Sequence, residues 1–133
     1  MTDKRGFTLL ELIVVIIIIG VFATISITHY GSTKETVLDK EAISNLKLIR
    51  QAERMYNVET TNYYPVQAIG TVSDIGTINT GLSLMLPTAS NRYWDYVVKY
   101  TGCSKATRYN GPNSRIWYLP VGNEEPISGT GCP

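Results

Sequence analysis

A single acid near the amino terminus carries the most distinctive chemistry of this sequence. Glu11 is the only ionisable side chain in residues 7–28, which are otherwise dominated by Ile, Val and Leu. A carboxylate at the centre of a membrane helix costs about 2.5–3.5 kcal/mol, whereas the helix dipole favours a carboxylate in the first helical turn. On its residue type alone, Glu11 fits a first helical turn with its carboxylate reaching toward lipid headgroups.

No catalytic constellation accompanies this acid. The 133 residues include one His and two Cys, which excludes most zinc sites, and they contain neither a P-loop nor a G-x-G-x-x-G motif. The formal net charge of +1 implies no broad basic surface for nucleic acid. Glu124 and Glu125 are adjacent and match no defined spacing of calcium ligands. The sequence therefore predicts no enzyme, no nucleic-acid partner and no metal site, with calcium as the weaker alternative.

The apolar run that surrounds Glu11 must be positioned as one long element. At 1.5 Å per helical residue, residues 7–28 span about 33 Å, close to the hydrocarbon thickness of a bilayer. Lys4 and Arg5 precede the run, so the positive-inside rule places the amino terminus in the cytoplasm. We expect a transmembrane helix. A cleaved secretory signal peptide is the alternative, but the run is long, contains an acid and is followed by no clean A-x-A site.

The ordering of these residues resembles a known signal. The sequence GFTLLE at residues 6–11, after a short basic leader and before an unbroken apolar run, resembles the class III signal of type IV pilins and type II secretion pseudopilins. The resemblance covers roughly residues 1–25. It implies a leader peptide at 1–6, cleavage by a prepilin peptidase between Gly6 and Phe7, and N-methylation of Phe7.

The residue types suit that chemistry. Gly6 has no side chain to obstruct a protease at the cleaved bond, and cleavage leaves an α-amino cation on Phe7. In a staggered helical assembly, this amine can neutralise the Glu11 carboxylate of a neighbouring copy. Charges about 4 Å apart attract by roughly 4 kcal/mol at an effective dielectric constant of 20. We therefore expect Glu11 to form an assembly salt bridge that sets the register of the filament.

The helix is predicted to continue well beyond the apolar run. No Pro occurs before Pro65, and apolar residues recur at steps of three and four. They are Val37, Leu38, Ala42, Leu46, Ile49, Ala52 and Tyr56. The opposite face is predicted to be in water, with pairing between copies as the alternative. It carries Lys34, Glu35, Asp39, Lys40, Glu41, Lys47, Arg50, Glu53 and Arg54. We expect one helix from about Thr8 to about Val58, with 7–28 as its transmembrane and filament-core half and 29–58 as its amphipathic half.

Residues 59–133 are predicted to form a globular head. Pro65 disfavours helix at the residue before it, and residues 66–92 read mostly as a loop around a short buried segment at 82–87. Alternation predicts a strand at 92–101, and strand-favouring residues predict another at 115–121. A third is predicted at 105–110, followed by a turn at 110–113. The expected fold is α+β, with the long amino-terminal helix packed on a small antiparallel sheet. This arrangement is pilin-like.

Two cysteines lie in the predicted head. Cys103 and Cys132 could form a disulfide that closes a loop, which oxidation outside the cytoplasm would favour. Two reduced, buried thiols are the alternative. A disulfide loop near the carboxyl terminus also resembles the variable loop of type IV pilins.

The resemblance implies a structural role. The chain would be the precursor of a homo-oligomeric, type IV pilus-like filament, residing in the bacterial inner membrane with a periplasmic head before assembly into an extracellular pilus. Its partners would be the prepilin peptidase, an assembly ATPase and a platform protein. The first alternative is the major pseudopilin of a type II secretion system, which forms a periplasmic pseudopilus. A membrane-anchored periplasmic binding module is the second.

Overall fold

The structure, a computed structural model, describes residues 7–109 and 115–132, including all of their side chains except those of 26–30. Within these described residues, two helices and five strands follow in chain order. They are α1 (Leu9–Thr60), β1 (Thr71–Val72), α2 (Ile75–Leu82), β2 (Trp94–Lys99), β3 (Ser104–Arg108), β4 (Ile116–Leu119) and β5 (Ile127–Ser128). The predicted leader at 1–6 and the turn at 110–113 lie outside the described residues. The α+β fold, a long helix and a small antiparallel sheet, is confirmed.

Helix α1 agrees closely with its prediction. It begins at Leu9 and ends at Thr60, against an expected span of about Thr8 to about Val58. Thr61 adopts a left-handed conformation with φ +61°, which ends the helix. Contacts divide the chain into two compact units, residues 1–37 and 38–133. Val37, predicted to lie on the apolar face, is exposed.

The sheet is antiparallel throughout, in the order β1-β2-β3-β4-β5. Its centre pairs Tyr96 with Ala106, and Ala106 with Trp117. The three predicted strands are present as β2, β3 and β4. The two-residue edge strands β1 and β5 are not predicted, because two residues are too few to show an alternating pattern.

The core of the 38–133 unit lies between α1 and one face of the sheet. Strand β2 alternates as predicted, burying Trp94, Tyr96 and Val98, whereas Tyr100 is exposed beyond the strand end. The buried apolar residues around them come from both helices, from three other strands and from the loop before β2. They include Ala42, Leu46, Ile49, Val72, Ile75, Ile78, Leu82, Leu86, Ala106 and Leu119.

Polar contacts from two core aromatics fix the helix to the sheet. The indole N–H of Trp94 donates to the carbonyl of Leu38 at 2.8 Å, and the Asn45 amide donates to the Tyr96 hydroxyl at 2.7 Å. A buried indole N–H without an acceptor is costly, so the aromatic residues of β2 help determine where α1 can pack.

Helix α2 corrects the prediction of a loop at 66–92. The Asp74 carboxylate caps it by accepting from the Thr77 backbone N–H at 2.7 Å and hydroxyl at 2.6 Å, and these bonds lower the pKa of Asp74. Ile75, Ile78 and Leu82 bury one face of the helix. The capping residue and this three-and-four spacing were visible in the sequence but cover only eight residues.

Arg50 and Glu53 correct a second prediction. Both were assigned to the face in water, yet Arg50 is 4% exposed and Glu53 is fully buried. The Arg50 guanidinium donates to the carbonyls of Gly102 at 2.7 Å, Leu119 at 2.8 Å and Pro120 at 2.9 Å, and it lies 3.4 Å from a Glu53 carboxylate oxygen. Arg50 thus ties α1 to the β2–β3 turn and to the end of β4.

The burial of Glu53 makes stability depend on pH. Burial raises the pKa of Glu53 from 4.5 to about 7, with Arg50 opposing the shift. The folded state therefore binds this proton more tightly than the unfolded state. The resulting stabilisation is complete below pH 4.5 and is lost as the pH rises through about 7, a loss on the order of 3 kcal/mol.

Replacing Glu53→Gln is expected to remove this pH dependence, because the amide does not titrate. Denaturant unfolding of the full chain in detergent at pH 5, 6, 7 and 8 would measure it. The parent should lose stability relative to the variant as the pH rises. Parallel pH profiles for the two proteins would contradict this assignment.

Candidate functional site

Thr8 sets the start of α1 directly after Phe7. The backbone N–H of Glu11 donates to the Thr8 carbonyl at 3.1 Å and to its hydroxyl at 3.3 Å, and the N–H of Leu12 donates to the same carbonyl at 3.2 Å. These bonds satisfy donors that the first helical turn otherwise leaves without partners. The helix start is therefore stabilised by residues that follow the predicted cleavage bond. Gly6 itself lies outside the described residues.

Glu11 lies in the first turn of α1, as its residue type favours. Its side chain is exposed, and within residues 7–109 and 115–132 its carboxylate has no ion-pair partner. Phe7 lies just before α1, four residues ahead of Glu11 in the chain. The acid is available to a cation from outside the chain.

An exposed apolar surface surrounds this acid. From Leu9 to Ile25, every Leu, Ile, Val and Phe side chain of α1 is exposed by 43% to 76%. An apolar surface this continuous marks an interaction site. The sequence predicts that residues 7–28 cross a membrane. Of the helices that the structure describes, none has the combination of length and apolarity that a crossing requires.

The predicted disulfide bond is present in the structure. Cys103 and Cys132 form a disulfide with their Cα atoms 5.9 Å apart, and Cys103 is buried. Lys99 donates to the Cys132 carbonyl at 3.4 Å. The bond therefore holds the chain beyond β5 close to the β2–β3 turn.

Removing the disulfide is expected to destabilise the head. The double variant Cys103→Ser/Cys132→Ser should lose about 3–4 kcal/mol, since the bond closes a loop of 29 residues. Denaturant unfolding measures this loss, and reduction of the parent protein should reproduce it. Two reactive thiols in the folded, exported parent protein would contradict the bond.

Glu124 and Glu125 have cationic partners. Glu124 pairs with Arg54, and Glu125 accepts from the Lys47 ammonium at 2.6 Å, so both acids tie the segment before β5 to α1. In the part of the chain that the structure describes, no three His, Cys, Asp or Glu side chains are grouped so that they could hold a metal ion. The adjacent acids thus act as ion-pair partners in this structure.

Asp39 was predicted only to lie on the face of α1 in water, but the structure gives its carboxylate two partners from the sheet side of the head. Its carboxylate accepts from the Trp117 indole N–H at 3.2 Å and pairs with Arg115 at 3.0 Å. Both partners lie at the start of β4, so Asp39 acts as a structural anchor between α1 and the sheet.

Comparison with known proteins agrees with the amino-terminal motif. The family described as the prokaryotic N-terminal methylation motif matches residues 1–27. The chain is 41% identical over 63 residues to the type II secretion system core protein G of Escherichia coli, a match covering 47% of this chain and 43% of that protein.

Two further relatives represent both kinds of system. The type II secretion system core protein G of Klebsiella pneumoniae is 36% identical over 47% of this chain and 45% of its own length. The type IV major pilin protein PilA of Myxococcus xanthus is 37% identical over 45% of this chain and 27% of its own length.

In each of these matches, the chain spans less than half of the relative's length. No solved structure gives a significant match. Over its amino-terminal half, the chain therefore carries the methylation motif and is similar both to type II secretion core proteins G and to a type IV major pilin.

Proposed function

We propose that the chain is the precursor of a structural subunit of a type IV pilus-like helical filament and acts by assembly, not catalysis. One observation carries the proposal. The methylation motif at residues 1–27 leads directly into a helix whose apolar side chains are exposed from Leu9 to Ile25. Such a surface is stable in water only when it is covered, and packing against the same helix of other copies covers it.

Processing is the first step of the proposed function. A prepilin peptidase cleaves between Gly6 and Phe7, and the new amine of Phe7 is methylated. Two features support cleavage at this bond. The Phe7 side chain is 76% exposed, and the helix cap is formed by Thr8, which stays on the mature chain. Loss of residues 1–6 therefore leaves the start of α1 intact.

The Phe7 amine then pairs with Glu11 of a neighbouring copy. The carboxylate is exposed in the first turn and has no ion-pair partner within the described residues. An amine and a carboxylate brought together among apolar helices attract more strongly than in water. The pair fixes the stagger between copies, because any other stagger would bury one charge alone.

The proposed partners follow from assembly. The precursor resides in the bacterial inner membrane with its head in the periplasm, and an assembly ATPase and a platform protein move it into the extracellular filament. The disulfide supports a periplasmic head, because such bonds persist in oxidising compartments.

A second candidate is the major pseudopilin of a type II secretion system, which forms a periplasmic filament. The observation that favours it is the 41% identity to the core protein G of Escherichia coli. The candidates share the same processing and the same core contact. They differ in where the mature chain is found.

The mass of the amino-terminal peptide tests both candidates. Material sheared from the cell surface is expected to contain a peptide that begins with N-methylated Phe7. The same peptide found only in the membrane fraction would favour the pseudopilin. A chain that still begins at Met1 in both fractions would contradict processing and would favour a membrane-anchored binding module.

A further inference from the structure

The connection between β4 and β5 contributes little to the core of the head. It spans residues 120–126, and every residue from 121 to 125 is exposed. Val121, the most apolar of them, is 47% exposed. The ends of this segment are fixed separately, because it begins after the buried Leu119 and leads into β5, which pairs with β4. The residues between these ends can therefore move without disturbing the apolar core.

Three cationic side chains of α1 hold this segment. They follow one another by three and four residues, so they lie on one side of the helix. The cations are Lys47, Arg50 and Arg54. The Lys47 ammonium donates to the Glu125 carboxylate at 2.6 Å. Arg54 pairs with Glu124, and the Arg50 guanidinium donates to the Pro120 carbonyl at 2.9 Å. Charge, more than apolar burial, therefore holds the segment against α1.

The two outer ion pairs, Lys47–Glu125 and Arg54–Glu124, are weak contacts in water. Their four side chains are 43% to 75% exposed. An exposed ion pair shifts an equilibrium by about fivefold at most, and dissolved salt screens it further. The contact between Arg50 and the Pro120 carbonyl is partly buried, so salt screens it less. Salt therefore weakens the hold on the two acids while the apolar core keeps its contacts.

We propose that residues 120–126 form an ionic latch that opens locally as the salt concentration rises, while the rest of the head stays folded. Opening moves Glu124 and Glu125 away from α1 and takes the Pro120 carbonyl from Arg50. Water then reaches Arg50, which is 4% exposed when the latch is closed. The latch lies wholly within the head, so this inference does not rest on the proposed function.

Cleavage of the Glu124–Glu125 bond by a glutamyl endopeptidase measures opening, because a protease binds this bond only when the segment leaves α1 and extends. The full chain is digested in non-ionic detergent at about 20 mM and about 500 mM NaCl, which shortens the Debye length from roughly 20 Å to roughly 4 Å. The cleavage rate, divided by that of a free peptide of residues 119–129, should rise about fivefold or more. Because the bond lies between Cys103 and Cys132, the products separate only after reduction.

Removing the two outer cations tests the same contacts at constant salt. The double variant Lys47→Ala/Arg54→Ala should be cleaved about fivefold or more faster than the parent at low salt and should lose most of its response to salt. Lys40→Ala is the matched control, because Lys40 is an exposed cation of α1 that is not one of the three latch cations. This control should be cleaved at the parental rate.

Tryptophan fluorescence reports whether the head stays folded, since Trp94 is buried in the core. Unchanged fluorescence at the salt concentration that speeds cleavage supports local opening. Fluorescence that changes in parallel with cleavage would mean that the whole head unfolds, and it would overturn the latch.

Calcium separates the latch from a metal site. Calcium chloride at the same ionic strength should act like sodium chloride, because each acid of the latch already has a cationic partner. Calcium that instead protects the bond from cleavage would show that the acids bind the metal and would overturn the latch. A parent cleavage rate that follows the free peptide at every salt concentration overturns it as well, and so do equal rates for the parent and the double variant.

Discussion

Filaments are expected to disappear when Glu11 is replaced by Leu, while the precursor accumulates in the membrane fraction at the parental level. The substitution removes the only charge between Phe7 and Ile25. A Phe7 amine from a neighbouring copy then lies among apolar side chains with no counter-ion, and it loses an attraction of roughly 4 kcal/mol at a dielectric constant of 20. Electron microscopy of sheared material and immunoblots of the membrane fraction measure the two quantities.

Two controls make the Glu11 result specific. Glu35→Leu removes a half-buried acid farther along the same helix and is expected to leave assembly intact. Glu11→Asp keeps the charge on a shorter side chain and should retain part of the filament yield. Glu11→Leu filaments of normal length and number would rule out the proposed role of the carboxylate.

The second large effect is expected from Arg50→Ala, which should destabilise the head by about 3–5 kcal/mol. The substitution leaves Glu53 buried without its cation and takes the donor from the carbonyls of Gly102, Leu119 and Pro120. These acceptors lie in the β2–β3 turn and at the end of β4, so several elements lose their connection to α1 at once. The unfolding midpoint of the full chain in detergent gives the magnitude.

Arg54→Ala is the matched control for Arg50. Arg54 lies one turn farther along α1 and pairs with Glu124, but both side chains of that pair are substantially exposed. Exposed pairs contribute about 0–1 kcal/mol, so this variant should unfold close to the parent. Similar losses from both variants would contradict the anchoring role of Arg50, and Arg50→Lys, which keeps the charge, provides a second measurement if Arg50→Ala does not fold.

The regular parts of the fold could be predicted because their patterns are long. Helix α1 has many consecutive residues without Pro, and β2 alternates in burial over its whole length. Helix α2 was missed because its eight residues include two Gly, two Thr and one Asn, all weak helix formers. Its formation depends on the local Asp74 cap and on burial of Ile75, Ile78 and Leu82. The burial is a tertiary effect that the sequence pattern of eight residues does not show.

The burial of Arg50 and Glu53 is not indicated by the sequence, because charged side chains normally favour the face in water. Arg50 follows Leu46 by four residues and Glu53 follows Ile49 by four, so helical spacing placed both next to the apolar face. Charged residues are rarely buried without partners, and the partners of Arg50 are backbone carbonyls far along the chain. Only the folded structure brings them within reach.

The residues of the amino-terminal signal could be predicted from the sequence alone. The order of residues at Gly6, Phe7 and Glu11 was sufficient to identify the signal, because it is local in sequence.

The disulfide also determines how the chain responds to tension. Cys103 and Cys132 are separated by 29 residues, and β3, β4 and β5 all lie inside the loop that the bond closes. A chain stretched from its two ends can therefore lengthen by about 100 Å less than a reduced chain, at 3.3–3.6 Å per extended residue. Backbone tension passes from β2 through the bond, and three of the five strands bear none of it along their own covalent backbone.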